Sequence, residues 1–296
     1  MKKIDLNLLP EALVKRLSER GINVFEFEEI PKGKLLEDGS EILNKISDQC
    51  PFEQCDGSGQ LWLKKTDGSE VARYCDCAVN LKIQRLIKSA KVPLDFQKVT
   101  INSFDINIYK QDYDKNLAAV AKRASSNYVN NFESLKSEGK GIYLYSETKG
   151  SGKTRLAISI LNALIKKYKV EGFYITSINL FDELRASFDI GNTQKVLNKF
   201  LSIPVLILDD LGVEKFSEWT ESTFTQILDS RMNQKFVTII TSNLTQEALD
   251  SIYVGGRVAS RVKKMTVPIQ MPSEDVRANL AKKENERALK ELLKLC

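Results

Sequence analysis

Glycine, lysine and threonine stand together at Gly150-Ser151-Gly152-Lys153-Thr154, and about fifty residues later Val205-Leu206-Ile207-Leu208 runs into Asp209-Asp210. These are the two halves of a nucleoside triphosphate site. A polyphosphate is held by many backbone N–H groups at once, so the loop must bend where a Cβ would clash and a helix N-terminus must follow. Gly150 and Gly152 permit the bend. Lys153 supplies a point charge for the β- and γ-phosphates, and the Thr154 hydroxyl is placed to ligate Mg²⁺. Lys149, Ser151 and Arg155 belong to the same nucleotide-binding stretch. The full pattern G-x-x-x-x-G-K-[ST] calls for a glycine where this chain has Glu147, which leaves the opening of the loop unsettled.

Asp209 is expected to hold the Mg²⁺ water shell and Asp210 to orient or deprotonate the attacking water, both at the C-terminal end of a parallel strand. Aspartate is one methylene shorter than the glutamate many fast ATPases use at the second position. Slow hydrolysis that switches a state is therefore expected. Thr241-Ser242-Asn243 ends another strand, where the Asn243 amide either senses a γ-phosphate or caps the next helix. Gly255-Gly256-Arg257-Val258-Ala259-Ser260-Arg261 sets two arginines one helical turn apart on one face. They serve a neighbouring subunit if they project outward, and Arg257 reads equally as a surface ion pair.

The chain contains no histidine, which excludes Ser-His-Asp and Cys-His catalysis and leaves cysteine or carboxylate for any zinc site. Four of its five cysteines cluster: Cys50 and Cys55, then Cys75 and Cys77 after nineteen intervening residues. Leu61 to Leu63 and Val71 to Tyr74 read as a hairpin around Asp67-Gly68. A segment this short has too little core to fold without a staple, so a structural Cys₄ zinc module over residues 49–80 is expected. A Cys₄ iron–sulfur centre and unliganded thiols are the alternatives.

Other elements must position these groups. Gly141 to Ser146 reads as a buried strand before the glycine loop, and Leu156, Ala157, Ile160, Leu161, Leu164, Ile165 and Tyr168 recur with helical spacing after it. Further strand-like runs at Gly172–Thr176, Phe236–Thr241 and Met265–Ile269 alternate with helices, predicting an α/β fold with a five-stranded parallel sheet over residues 101–296. Residues 1–48 read as a helical region, with one amphipathic helix from Pro10 through Leu17 and a short one at Glu41 to Ile46. A basic helical connector spans 81–100. With 296 residues, 42% apolar and 28% charged, the chain has an ordinary globular composition, and its +5 charge carries little weight. It has no run of eighteen apolar residues, and Met1-Lys2-Lys3-Ile4-Asp5 turns polar at once, so a cytoplasmic protein is expected.

The cysteine cluster, GSGKTRLA, LILDDLGVEK, the TSNL strand end and GRVASRV together resemble AAA+ ATPases of the bacterial DnaC/DnaI helicase-loader type over nearly the whole chain. The resemblance implies that ATP and Mg²⁺ drive self-association on a hexameric replicative helicase. It also implies a zinc region that grips the helicase, and hydrolysis stimulated by DNA or a partner. It makes Asn243 sensor 1, Arg261 an arginine finger acting in trans with Arg257 beside it, and Arg277 sensor 2. A charged terminal helix accounts for Arg277 equally well. In similar proteins the two-helix segment Ser177 to Phe200 touches single-stranded DNA, which here would use Arg185, Lys195, Lys199 and Phe188. A core helix pair with a polar outside is the other reading. A transposition helper of the IstB type, acting on duplex DNA with a transposase, shares the ATPase pattern.

Overall fold

The computed structural model describes residues 39–294, in two units that divide between Arg85 and Leu86. The helix expected from Pro10 through Leu17, and Cys296, lie outside the described residues.

The first unit is an antiparallel sheet of β1 (Glu41–Ile42), β2 (Gln60–Lys64) and β3 (Glu70–Tyr74), in that order. β2 and β3 form the expected hairpin with Trp62 opposite Ala72. Its turn works because Gly68 takes φ +82° while the Asp67 carboxylate accepts the Ser69 N–H at 2.8 Å. The short helix expected at Glu41 to Ile46 is instead strand β1. Six residues cannot nucleate a helix alone, and here Ile42 is buried among Leu61, Leu63 and the four cysteines while Leu43 N–H donates to the Trp62 carbonyl at 2.7 Å. Helix α1 (Cys77–Ser89) begins at the last cysteine of the cluster, earlier than the connector expected from residue 81, and stops before Lys91, whose φ is +52°.

The second unit is built on a parallel sheet of β4 (Gly141–Tyr145), β5 (Gly172–Thr176), β6 (Val205–Leu211), β7 (Val237–Ser242) and β8 (Thr266–Gln270), ordered β5-β6-β7-β4-β8. β4, β6 and β7 are buried nearly throughout, as strands covered on both faces must be, and so read as unbroken apolar runs. Helices α2 (Asp112–Asn130) and α3 (Phe132–Ser137) precede the sheet; α4 (Lys153–Tyr168), α5 (Ser177–Ala186), α6 (Thr193–Ser202) and α7 (Glu218–Asn233) connect its strands. α8 (Leu249–Ile252) and α9 (Arg257–Met265) lead into β8, and α10 (Val276–Lys294) follows it. The order sets the carboxyl end of β7 between those of β4 and β6. Asn243 thus emerges between the glycine loop and the aspartates, where ligands of open α/β sheets bind.

One buried side chain fixes the back of this sheet. Arg231, fully buried on α7, donates to the carbonyls of Phe200 and Ile203 at 2.8 Å each, to the Val237 carbonyl at 2.6 Å and to the Thr238 hydroxyl at 2.9 Å. It ties the end of α6, the approach to β6 and the start of β7 with no carboxylate partner among the described residues. Among the described residues no helix is long and apolar enough to cross a membrane.

Candidate nucleotide and metal sites

The glycine loop leaves β4 and enters α4 through two left-handed glycines, Gly150 at φ +74° and Gly152 at +95°, the latter as the helix N-cap. A Cβ on Gly150 would lie 2.1 Å from Asp275 Oδ1, and one on Gly152 would lie 3.0 Å from the Tyr109 hydroxyl. Neighbouring chain therefore presses on the loop from both sides. The Tyr109 hydroxyl donates to the Ser151 carbonyl at 2.8 Å, bracing the loop from outside the motif. Glu147 is exposed and absent from the positive-φ residues, so no glycine is required where it stands.

Lys153 is 5% exposed and folds back along the loop, donating to the carbonyls of Thr148 at 2.8 Å and Ser146 at 3.1 Å. Burial holds its ammonium below the ordinary lysine range, with Asp210 and Asp209 opposing that shift. Lys149 is exposed on the loop, and Arg155 donates to the Ser103 carbonyl at 3.2 Å. A cavity of about 620 Å³ opens beside the loop, lined by residues 149–155, Asp210, Asn243 and Arg277, with Phe96, Leu280 and Glu284 also on its wall. This volume suits a nucleotide.

Asp209 is 3% exposed and surrounded by hydroxyls. It accepts from Thr241 at 2.6 Å, from Tyr174 at 2.8 Å and from Thr154 at 2.9 Å. Burial raises its pKa above the usual carboxylate range, and the hydrogen bond from Thr241 counteracts this. The contact between Thr154 and Asp209 joins the two halves of the magnesium site expected from the sequence. Asp210 takes φ +56° at an irregularity in the β6–β7 pairing. A bulge re-aims side chains, and here it turns Asp210 toward the cavity while Asp209 stays on the strand. Its N–H donates to Thr241 Oγ1 at 2.9 Å, so one threonine anchors both acids.

Asn243 lines the cavity, and its Oδ1 is buried without a hydrogen-bond partner among the described residues. An unpaired amide oxygen beside the loop fits a polar ligand better than the helix-capping reading does. Arg277 also lines the cavity, on the first turn of α10. Arg261 is held within its own chain: its Nε and Nη2 meet Asp229 at 2.5 and 2.8 Å, and Nη1 donates to the Arg257 carbonyl at 2.9 Å. Arg257 is exposed at the start of α9. Neither arginine lines this cavity.

Tyr174 and Tyr109 serve these groups without belonging to a nucleotide motif, and Thr241, in the strand end before Asn243, serves both acids in a role its position did not announce. Their spacing signals nothing, because strand register and a packing contact create their roles.

The Sγ atoms of Cys50, Cys55, Cys75 and Cys77 all lie within 4.8 Å of one another, and all four residues are buried. Sulfurs about 2.3 Å from a tetrahedral zinc are separated by roughly 3.8 Å. The closest pairs here, Cys55–Cys77 at 3.4 Å and Cys50–Cys75 at 3.6 Å, approximate that arrangement. Burial pushes the Cys75 thiol up to about 11, a cost that a cation among the sulfurs would reverse. The donor set thus fits a Cys₄ metal.

The profile of the family described as IstB-like ATP binding protein matches residues 77–263. The chain is 28% identical over 200 residues to the uncharacterized protein YqaM of Bacillus subtilis, which covers 66% of this chain and 61% of that protein. It is 24% identical over 296 residues to the replicative helicase loader DnaI of the same organism, covering 89% of this chain and 91% of the loader. Among solved structures, that of the DnaC helicase loader superposes with a TM-score of 0.53 at 27% identity, over 60% of this chain and 99% of that one. The parallel sheet, glycine loop and paired acids are those of an AAA+ core of the DnaC and DnaI type, and the chain belongs to the IstB-like ATP-binding protein family.

Proposed function

We propose that this chain is an ATP-gated loader that binds a hexameric replicative DNA helicase and helps to place it on single-stranded DNA in the cytoplasm. The reach of its likeness to the B. subtilis loader carries this reading. That likeness runs over 89% of the chain, well beyond the matched ATPase segment at 77–263. A transposition helper built on the ATPase core alone has no need of the rest.

Residues 149–155 would hold the triphosphate, and Thr154 and Asp209 the Mg²⁺ with its water. Bound Mg²⁺ supplies neutralisation of the phosphate charge. Asp210 orients the water, Asn243 reads the γ-phosphate, and Arg277 contacts it from the first turn of α10. Arg261, with Arg257 beside it, acts on the nucleotide of a neighbouring subunit, so ATP drives self-association. For Arg261 this requires exchanging Asp229 for a phosphate. Cys50, Cys55, Cys75 and Cys77 hold zinc and shape a helicase-gripping unit. Hydrolysis is slow and answers to DNA or the helicase.

For DNA contact the α5–α6 segment offers Lys195, which is exposed, and Phe188, half-exposed against Trp219. Lys199 is paired with Glu183 and lies over the Phe173 ring, which leaves it less free for phosphate. Arg185 pairs with Asp182 and stacks over Trp219.

The test is affinity capture of tagged Asp210→Asn protein from source-cell lysate with ATP and Mg²⁺, beside a Cys50→Ser version and metal analysis of the intact protein. Capture of a replicative helicase, lost in the cysteine variant, is expected, with one zinc per chain. A transposase or duplex DNA without helicase would replace the loader with the transposition helper. Iron in place of zinc would change the cofactor, and neither metal would end the Cys₄ reading.

A further inference from the structure

Asp209 receives three hydroxyl donors, and they are not equivalent. Thr154 is the residue assigned to Mg²⁺, and Thr241 is shared, since its oxygen also accepts the Asp210 N–H. The Tyr174 hydroxyl has Asp209 Oδ2 as its hydrogen-bond partner, at 2.8 Å, whereas Thr154 reaches that oxygen at 3.2 Å. Strand register explains the reach. Thr176 pairs with Asp209 across β5 and β6 and Tyr174 with Ile207, so a long side chain at 174 lies diagonally beneath the carboxylate. The Tyr174 backbone is pinned as well, its N–H donating to the Ala90 carbonyl at 2.8 Å.

We infer that Tyr174 is a positioning residue for metal binding: its hydroxyl fixes Asp209 Oδ2 so that the carboxylate meets the Mg²⁺ water shell in one orientation. The inference rests on the ATP–Mg²⁺ site proposed above and deepens it. Hydrogen-bond partners behind a metal-binding carboxylate hold its orientation, and their loss costs about 10–100-fold in metal affinity or activity. Without the phenol hydroxyl, Oδ2 keeps only the longer Thr154 contact, and the carboxylate gains freedom about its last torsion. The nucleotide-contacting loop is untouched.

The experiment titrates Mg²⁺ against binding of a fluorescent ATP analogue to the full-length wild type, Tyr174→Phe and Tyr168→Phe. Tyr168 donates its hydroxyl to the Val129 carbonyl at 2.7 Å, so its variant removes a comparable hydrogen bond away from the acid. Tyr174→Phe is expected to bind the analogue as the wild type does in EDTA and to need about tenfold more Mg²⁺ for half-maximal enhancement. Tyr168→Phe is expected to titrate like the wild type. Unchanged Mg²⁺ dependence in Tyr174→Phe overturns the inference, as does an equal shift in Tyr168→Phe or a loss of binding already present in EDTA. Failure of the underlying site reads differently: wild-type binding would then be absent, or indifferent to Lys153→Ala.

Discussion

Asp209 concentrates the conflict between stability and function in this chain. Its carboxylate is 3% exposed beside Asp210, and three hydroxyl donors, with the charge of Lys153, offset its burial. Its folded pKa is raised, so the group contributes most favourably below the unfolded value and costs stability as pH rises through the folded one. Asp209→Asn is therefore expected to raise the melting temperature of nucleotide-free protein by roughly 2–4 °C, the response to about 1 kcal/mol in a domain of this size. The gap closes in acid, and the stabilisation by ATP and Mg²⁺ disappears. Melting curves across pH with and without ligand check all three. Glu147 makes the opposite case: the missing glycine looked like a defect in the loop, yet the backbone there needs no positive φ. Glu147→Gly should leave ATP affinity within about twofold and lower stability by roughly 0.5–1 kcal/mol, read by nucleotide titration and denaturant unfolding.

Elements differ in how plainly their residues announce them. The central strands β4, β6 and β7 were legible because they are buried on both faces and read as apolar runs, and the loop–helix junction because two glycines and a lysine must stand together. β1 was not: a two-residue strand has no periodicity, and pairing with β2 alone makes it one. The start of α1 was hidden because Cys77 reads as a ligand and is also a helix residue. Tyr174 escaped because its relation to Asp209 exists only once β5 and β6 are in register. Arg231 was equally silent, since nothing near it in sequence marks a buried arginine. Its loss removes the donors of three carbonyls and a hydroxyl at once. Arg231→Met is expected to destabilise the core by about 3–5 kcal/mol in urea unfolding, far more than a surface arginine.

Under the proposed function, α9 of one copy serves the cavity of another, and in this chain Arg257 and Arg261 do not line the cavity beside the glycine loop. Arg261→Ala should bind ATP and fail to hydrolyse it, and Lys153→Ala should do neither. Mixing the two is expected to restore turnover, since the lysine variant lends its arginine to the intact loop of its neighbour; a mixture as inactive as its parts would place the arginine elsewhere. The Asp229 pair holds Arg261 until then. The central claim, loading, is tested most directly by following purified replicative helicase onto circular single-stranded DNA, which offers no free end to thread. With this chain and ATP–Mg²⁺ the helicase should be retained on the circle, and Lys153→Ala should abolish the effect. Equal retention with and without the chain would contradict the account.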